Sequence, residues 1–216
     1  MTQPVTLYAF PTPNGVKVST LLEALEVPYK YQRVSIFGEV KSDWFVKLNP
    51  NGRIPTLVDP NTNTTISQTA AIDYYLADTY DKERKWSYAP GTPEWYQQLE
   101  IVMFSMGEQG PIQGQANHFV IYAPEKVEYA IKRYTTDIKR IYGVLDEYLK
   151  RNSANGPYFV GTHYSIADFV VFGWANRLDA LGIELAQWPH VQAWYEKFKQ
   201  LAPIQKGIAA LDEETK

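Results

Sequence analysis

Apolar and polar side chains alternate over residues 4–10, where Val5, Leu7 and Ala9 are set against Thr6, Tyr8 and Phe10. A period of two predicts a half-buried strand. Pro11-Thr12-Pro13-Asn14-Gly15 then reads as a tight loop, and the spacing becomes helical: Val18, Leu21, Leu22 and Leu25 share one face of a helix predicted over residues 16–27. Residues 29–34 form a second predicted strand. Strand, helix and strand in close succession make a βαβ unit, whose two strands run parallel. A short helix is predicted over 41–48, carrying Trp44, Phe45 and Leu48. Thr56, Leu57 and Val58 favour a third strand, ended by Asp59-Pro60. Residues 61–64 are a hairpin turn into a short antiparallel strand, Thr65-Ile66-Ser67. A helix over 68–80 follows, with Ile72, Tyr75, Leu76 and Tyr80 on one face.

Residues 81–92 are charged, contain Pro90 and Gly91, and read as a linker. Everything beyond has helical periodicity. Thr92 caps a helix with Pro93 at its first position, running to about His118 with an interruption at Gly110-Pro111. An internal proline there predicts a kink. The stripe Val127, Ala130, Ile131, Tyr134, Ile138, Ile141, Leu145 and Leu149 predicts one long helix over 125–151. Ser165-Ile166-Ala167-Asp168 is a capping box that opens a core helix reaching about Leu181, with Tyr164 and Phe169 at the staple positions. Shorter helices are expected over 191–201 and 204–211, and a frayed tail over 212–216. The expected architecture is an α/β domain over 1–80 followed by an all-α domain over 93–216.

Composition narrows the chemistry. At 216 residues and 45% hydrophobic the chain can build a sizeable core, and a net charge of −3 argues against a protein built around nucleic acid. There is no cysteine, so no disulfide, thiolate-bound metal or cysteine nucleophile exists, and any thiol chemistry must use a thiol brought by a ligand. His118, His163 and His190 are scattered and suggest neither a metal site nor a triad. No charged leader and no long apolar run is visible, so the expectation is a soluble cytoplasmic protein without membrane contact.

The most informative stretch is 49–60. Asn49 to Gly52 are turn residues, and Pro55 at the strand entrance has no backbone N–H. The Ile54 backbone is therefore open to pair with an extended peptide, and a cis Ile54–Pro55 bond would turn it outward. An edge-strand proline that only blocks aggregation accounts for the same residues equally well. Thr12-Pro13-Asn14-Gly15, Ile54-Pro55 and Ser67-Gln68-Thr69 all fall at strand ends of the first domain, where α/β ligand sites form.

Arg53-Ile54-Pro55, Ser67-Gln68-Thr69-Ala70-Ala71-Ile72 and the 165–168 capping box together resemble the glutathione transferase superfamily over essentially the whole chain. Thr12-Pro13-Asn14-Gly15, Asn49-Pro50-Asn51-Gly52-Arg53, and Gly110-Pro111 with Gly114-Gln115 and His118-Phe119 look most like the fungal nitrogen-regulator-type and bacterial nu-class group. The resemblance implies a thioredoxin-like domain followed by a helical one, a homodimer, and glutathione as co-substrate. It places Gln68 and Thr69 at the γ-glutamyl end, Ile54 with Pro55 against the cysteine moiety, Arg53 and Lys41 at the glycine carboxylate, and Arg133 reaching toward the ligand. Gln68 stands where many members of the group have Glu, which removes a negative charge from the ammonium's partner. Asn14 is the candidate activator: its amide cannot take a proton but can stabilise a thiolate at a helix start, with Thr12 as a second donor. Tyr8 is the rival activator, and helix capping alone also accounts for Asn14. The second substrate is a small electrophile or a disulfide. Conjugation, disulfide reduction, isomerisation in a natural-product pathway and a non-catalytic regulatory role are the functions the resemblance allows. Met103, Phe104, Tyr122 and Trp174 mark the region of an apolar second-substrate pocket between the domains, and helix core accounts for aromatics at this spacing as well.

Overall fold

The computed structural model describes residues 2–212 of the chain. These fall into two compact units, one of residues 2–86 with 199–212 and the other of residues 87–198. The expected frayed tail lies outside the described residues apart from Asp212.

The first unit is built on a mixed sheet of β1 (Val5–Ala9), β2 (Tyr29–Arg33), β3 (Thr56–Asp59) and β4 (Thr64–Ser67), in the order β2-β1-β3-β4. β1 and β2 are parallel, with Val5 opposite Tyr29, as the βαβ reading requires. β3 runs antiparallel to β1, with Leu7 opposite Leu57, and β4 antiparallel to β3. Val5, Leu7 and Ala9 are fully buried, so the alternation along β1 points into the core.

Helix α1 (Pro13–Ala24) starts three residues earlier than the apolar spacing indicates. Thr12 is its N-cap: it is extended, and its hydroxyl accepts from the Gly15 N–H at 3.2 Å. Pro13 at the first position has no N–H to satisfy and a preset φ. A short 3₁₀ turn, Glu39–Lys41, precedes α2 (Asp43–Leu48), so Lys41 ends a turn and does not open the helix. Helix α3 (Thr69–Tyr80) closes the βα part of the unit.

The second unit holds α4 (Pro93–Phe104), α5 (Gly110–Asn117), α6 (Glu128–Arg151), α7 (Ile166–Ala175) and α8 (Pro189–Lys199). Thr92 caps α4 through the Trp95 N–H at 3.2 Å. The Gly110-Pro111 interruption is a π turn, Ser105–Gln109, and a second one, His118–Tyr122, ends α5. The first is held by a buried network in which Gln109 accepts from the Ser105 hydroxyl at 2.6 Å and donates to the Val171 carbonyl at 3.2 Å. All ten residues of α7 are buried. Asp168 completes the capping box by accepting from the Ser165 N–H at 2.8 Å, and its other oxygen accepts from the Trp194 indole at 2.8 Å. Tyr164 and Phe169 both pack on Phe198, so the staple closes through a third ring.

The last helix, α9 (Ala202–Asp212), belongs to the first unit, where the sequence placed everything from residue 93 in one helical domain. Gly207 explains its attachment. It packs so closely that a Cβ there would lie 2.5 Å from the Thr20 Cα, and its carbonyl accepts from the Ser19 hydroxyl at 2.7 Å. Apolar periodicity alone does not say which unit such a helix will cover. No described helix is long and apolar enough to cross a membrane.

Candidate active site

Three segments of the first unit carry the candidate residues. The first is the β1–α1 junction. Asn14 is the second residue of α1, half-buried, in the turn where backbone N–H groups have no intrahelical acceptor. Its side-chain amide makes no hydrogen bond among the described residues. Capping is Thr12's task, which removes the bland explanation of Asn14. The Thr12 hydroxyl accepts from Gly15 and keeps its own proton to donate.

The second segment is the 49–56 turn. The Ile54–Pro55 peptide is cis. Neither the N–H nor the C=O of Ile54 makes a backbone hydrogen bond among the described residues. The turn is held from within by Asn49, which is buried. Its amide donates to the Arg53 carbonyl at 2.6 Å and to the Thr56 hydroxyl at 3.2 Å, and its oxygen accepts from the Asn51 N–H at 3.1 Å. Thr56 continues the chain to the Ser67 hydroxyl at 2.9 Å. The turn is thereby tied to the residue just before Gln68. The sequence marks Asn49 only as a turn former. Its spacing of four from Arg53 and seven from Thr56 was the one available signal. Gly52, at φ 57°, has the Val40 carbonyl 2.7 Å and the Lys41 ammonium 3.0 Å from where its Cβ would be. Lys41 donates to the Asn51 carbonyl at 3.2 Å, which holds a cation over this turn; Arg53 is exposed.

The third segment opens α3. Gln68 has φ 77° and ψ 119°, a backbone conformation that costs energy in a residue with a side chain, and its side chain is exposed and does not cap the helix. Thr69 is 2% exposed and Ala70 is also buried, while Gln68 before them and Ala71 after them are exposed.

The remaining candidates are placed otherwise. Tyr8 is half-buried on β1 and packs against Trp44 and Phe45, ring centroids 6.0 and 6.4 Å away, beside the cluster of Val34, Val40 and Phe45. Arg133 is exposed on α6 in the second unit. Of the residues expected around a second-substrate pocket, Met103 and Tyr122 are exposed, Phe104 packs on Tyr148, and Trp174 is buried core against Gly110.

A thioredoxin-like sheet with an open cis-proline turn and two helix starts, followed by a helical unit, defines a class of glutathione-handling folds. The chain belongs to the glutathione S-transferase family: residues 3–78 match the model of its N-terminal domain and residues 98–202 that of its C-terminal domain. It is 53% identical to a glutathione transferase homologue from Lodderomyces elongisporus solved with two glutathione molecules per subunit; 96% of this chain and 98% of that one are covered, with a TM-score of 0.94. The nitrogen regulation fragment of the yeast prion protein Ure2p is 28% identical, with 97% and 99% covered and a TM-score of 0.89. The disulfide-bond oxidoreductase YfcG of Escherichia coli is 32% identical, with 90% of each chain covered.

Proposed function

We propose that this protein is a glutathione-dependent enzyme that holds the tripeptide as a reactive thiolate and directs it at a disulfide sulfur or an electrophilic carbon. The observation that carries this reading is the uncommitted Asn14 amide in the first turn of α1, in a chain with no cysteine of its own. The amide and the Thr12 hydroxyl donate to the glutathione sulfur, and the positive end of α1 adds to their effect. The open Ile54 backbone pairs with the cysteine moiety as an added strand would. Gln68 and the N-terminus of α3 take the γ-glutamyl carboxylate and ammonium. Lys41 and Arg53 take the glycine carboxylate.

With a disulfide substrate, the thiolate attacks one sulfur, the other leaves as a thiolate, and a mixed disulfide of glutathione results. A second glutathione thiolate attacks that mixed disulfide, giving oxidised glutathione and the second substrate thiol. No protein sulfur takes part. With an electrophilic carbon, the same thiolate forms a thioether, either by displacing a leaving group that departs with the bonding electrons or by adding across an activated double bond whose carbanion then takes a proton from water. The likeness to YfcG supports the disulfide reaction as the leading one.

Steady-state kinetics test the reading. Asn14→Ala is expected to lower kcat/KM for glutathione-dependent reduction of a mixed disulfide at neutral pH by about 10- to 100-fold, on the scale of the about 1.5–3 kcal/mol that one hydrogen bond to a charged group contributes to holding the thiolate. A change under about twofold would contradict it.

A further inference from the structure

Lys17 and Asp73 are 1% and 0% exposed, and neither belongs to the residues assigned above. Lys17 stands one turn into α1 from Asn14, and Asp73 one turn into α3 from Thr69. α1 and α3 pack on one another, and each of the two charged groups acts on the other. Burial pushes the Lys17 ammonium down and the Asp73 carboxyl up, and each charge opposes the other's shift. Neither Asp73 oxygen accepts a hydrogen bond among the described residues, so its attraction to Lys17 acts through space.

Folding alone gives no reason for such a pair. Two buried ionisable groups are commonly no better, and often worse, than apolar side chains of the same volume. Their placement supplies a reason. Helical side chains lean toward the N-terminus of their own helix, so Lys17 leans back toward the start of α1 and Asp73 toward the start of α3. Of the other elements in contact with these helices, α9 carries Lys206 and Asp212, both exposed, β4 carries no charged residue, and β3 carries Asp59, whose carboxylate is held by the Tyr75 and Tyr80 hydroxyls of α3.

We infer that Lys17 and Asp73 are positioning residues for the bound thiolate, holding the starts of α1 and α3 together and setting the potential at the first turn of α1. Lys17 favours the thiolate and Asp73 moderates it. This rests on glutathione binding as proposed above.

The test is a pH titration of thiolate absorbance for glutathione bound to the full chain, with binding measured separately by calorimetry. A unit charge roughly 10 Å away in a protein interior moves a pKa by about one unit. Lys17→Met is therefore expected to raise the bound thiol pKa by about one unit and Asp73→Asn to lower it by about as much. Lys17→Met/Asp73→Leu should return it to within about half a unit of wild type. Shifts of the same sign in both single variants, or no shift with binding intact, would overturn the inference while leaving the glutathione reading standing. A wild type that binds no glutathione would overturn both. If the single variants do not fold, the wild type is read directly by carbon NMR of the Asp73 carboxyl. Its titration should move to higher pH when glutathione is bound, because coupling is reciprocal. An unmoved titration would overturn the inference.

Discussion

Asn49 does for the active-site turn what a ligand-binding residue does for a ligand: it satisfies three polar groups from one buried amide. Truncation to alanine leaves the Arg53 carbonyl and the Asn51 N–H without it, and Thr56 with Ser67 alone. Losing bonds of this kind costs about 1–3 kcal/mol when a buried partner is left unsatisfied. Asn49→Ala is therefore expected to lower the urea midpoint with an unchanged m-value. The same variant should raise the KM for glutathione, since the Ile54 backbone loses its support. A normal KM with reduced stability would mean that Asn49 serves only the fold. Gln68 is the other residue whose cost is visible without its benefit. A glutamine at φ 77° is strained, and strain of about 1–3 kcal/mol persists where the surroundings impose it. Glutamine is not a residue type that announces positive φ, so the sequence does not show this.

At the scale of elements, β3 and α3 are joined by one carboxylate. Asp59 accepts from both the backbone and side chain of Asn61, at 2.8 and 2.9 Å, from the Tyr75 hydroxyl at 2.7 Å, and from the Tyr80 hydroxyl. Burial alone would push this carboxyl up, but the hydrogen bonds outweigh it and hold it below the usual carboxylate range. A lowered native pKa means that the unfolded chain binds the extra proton first. The contribution is then complete above the ordinary aspartate pKa of about 3.9 and is lost as pH falls toward the native value. Thermal unfolding of wild type should therefore show stability dropping below about pH 4, with a shallower drop in Asp59→Asn. Equal slopes in the two proteins would contradict this. The elements themselves were largely legible. The four strands, the parallel first pair and the capping box follow from period, β-propensity and the Ser165/Asp168 spacing. Apolar spacing puts the start of α1 three residues late because Thr12-Pro13 is also a turn signature. Each π turn takes i→i+5 hydrogen bonds in place of i→i+4, and only the first has a mark in the sequence, the Gly110-Pro111 pair that follows it. α9's place beside α1 depends on Gly207 meeting Thr20, a contact 187 residues apart along the chain.

For the molecule as a whole, the residues to which the mechanism assigns a task all lie in the first unit. Their types and order could be read from the sequence, because a helix start, a proline turn and a second helix start each leave a local mark. What could not be read was division of labour. The cap is Thr12 and not Asn14, Tyr8 is engaged with Trp44 and Phe45, and Lys41 leans on the Asn51 carbonyl. The Tyr8 and Lys41 contacts join separate segments, which no single segment encodes, and the Thr12 cap is local but written in residues that serve equally as a turn. Whether Asn14 makes bound glutathione a thiolate is decided by titrating the thiolate absorbance of glutathione bound to wild type, Asn14→Ala and Tyr8→Phe. The bound pKa is expected well below the ~8.5 of a free cysteine thiol in wild type and Tyr8→Phe, rising back toward that value in Asn14→Ala. A depressed pKa that survives Asn14→Ala, or none in wild type, would contradict it.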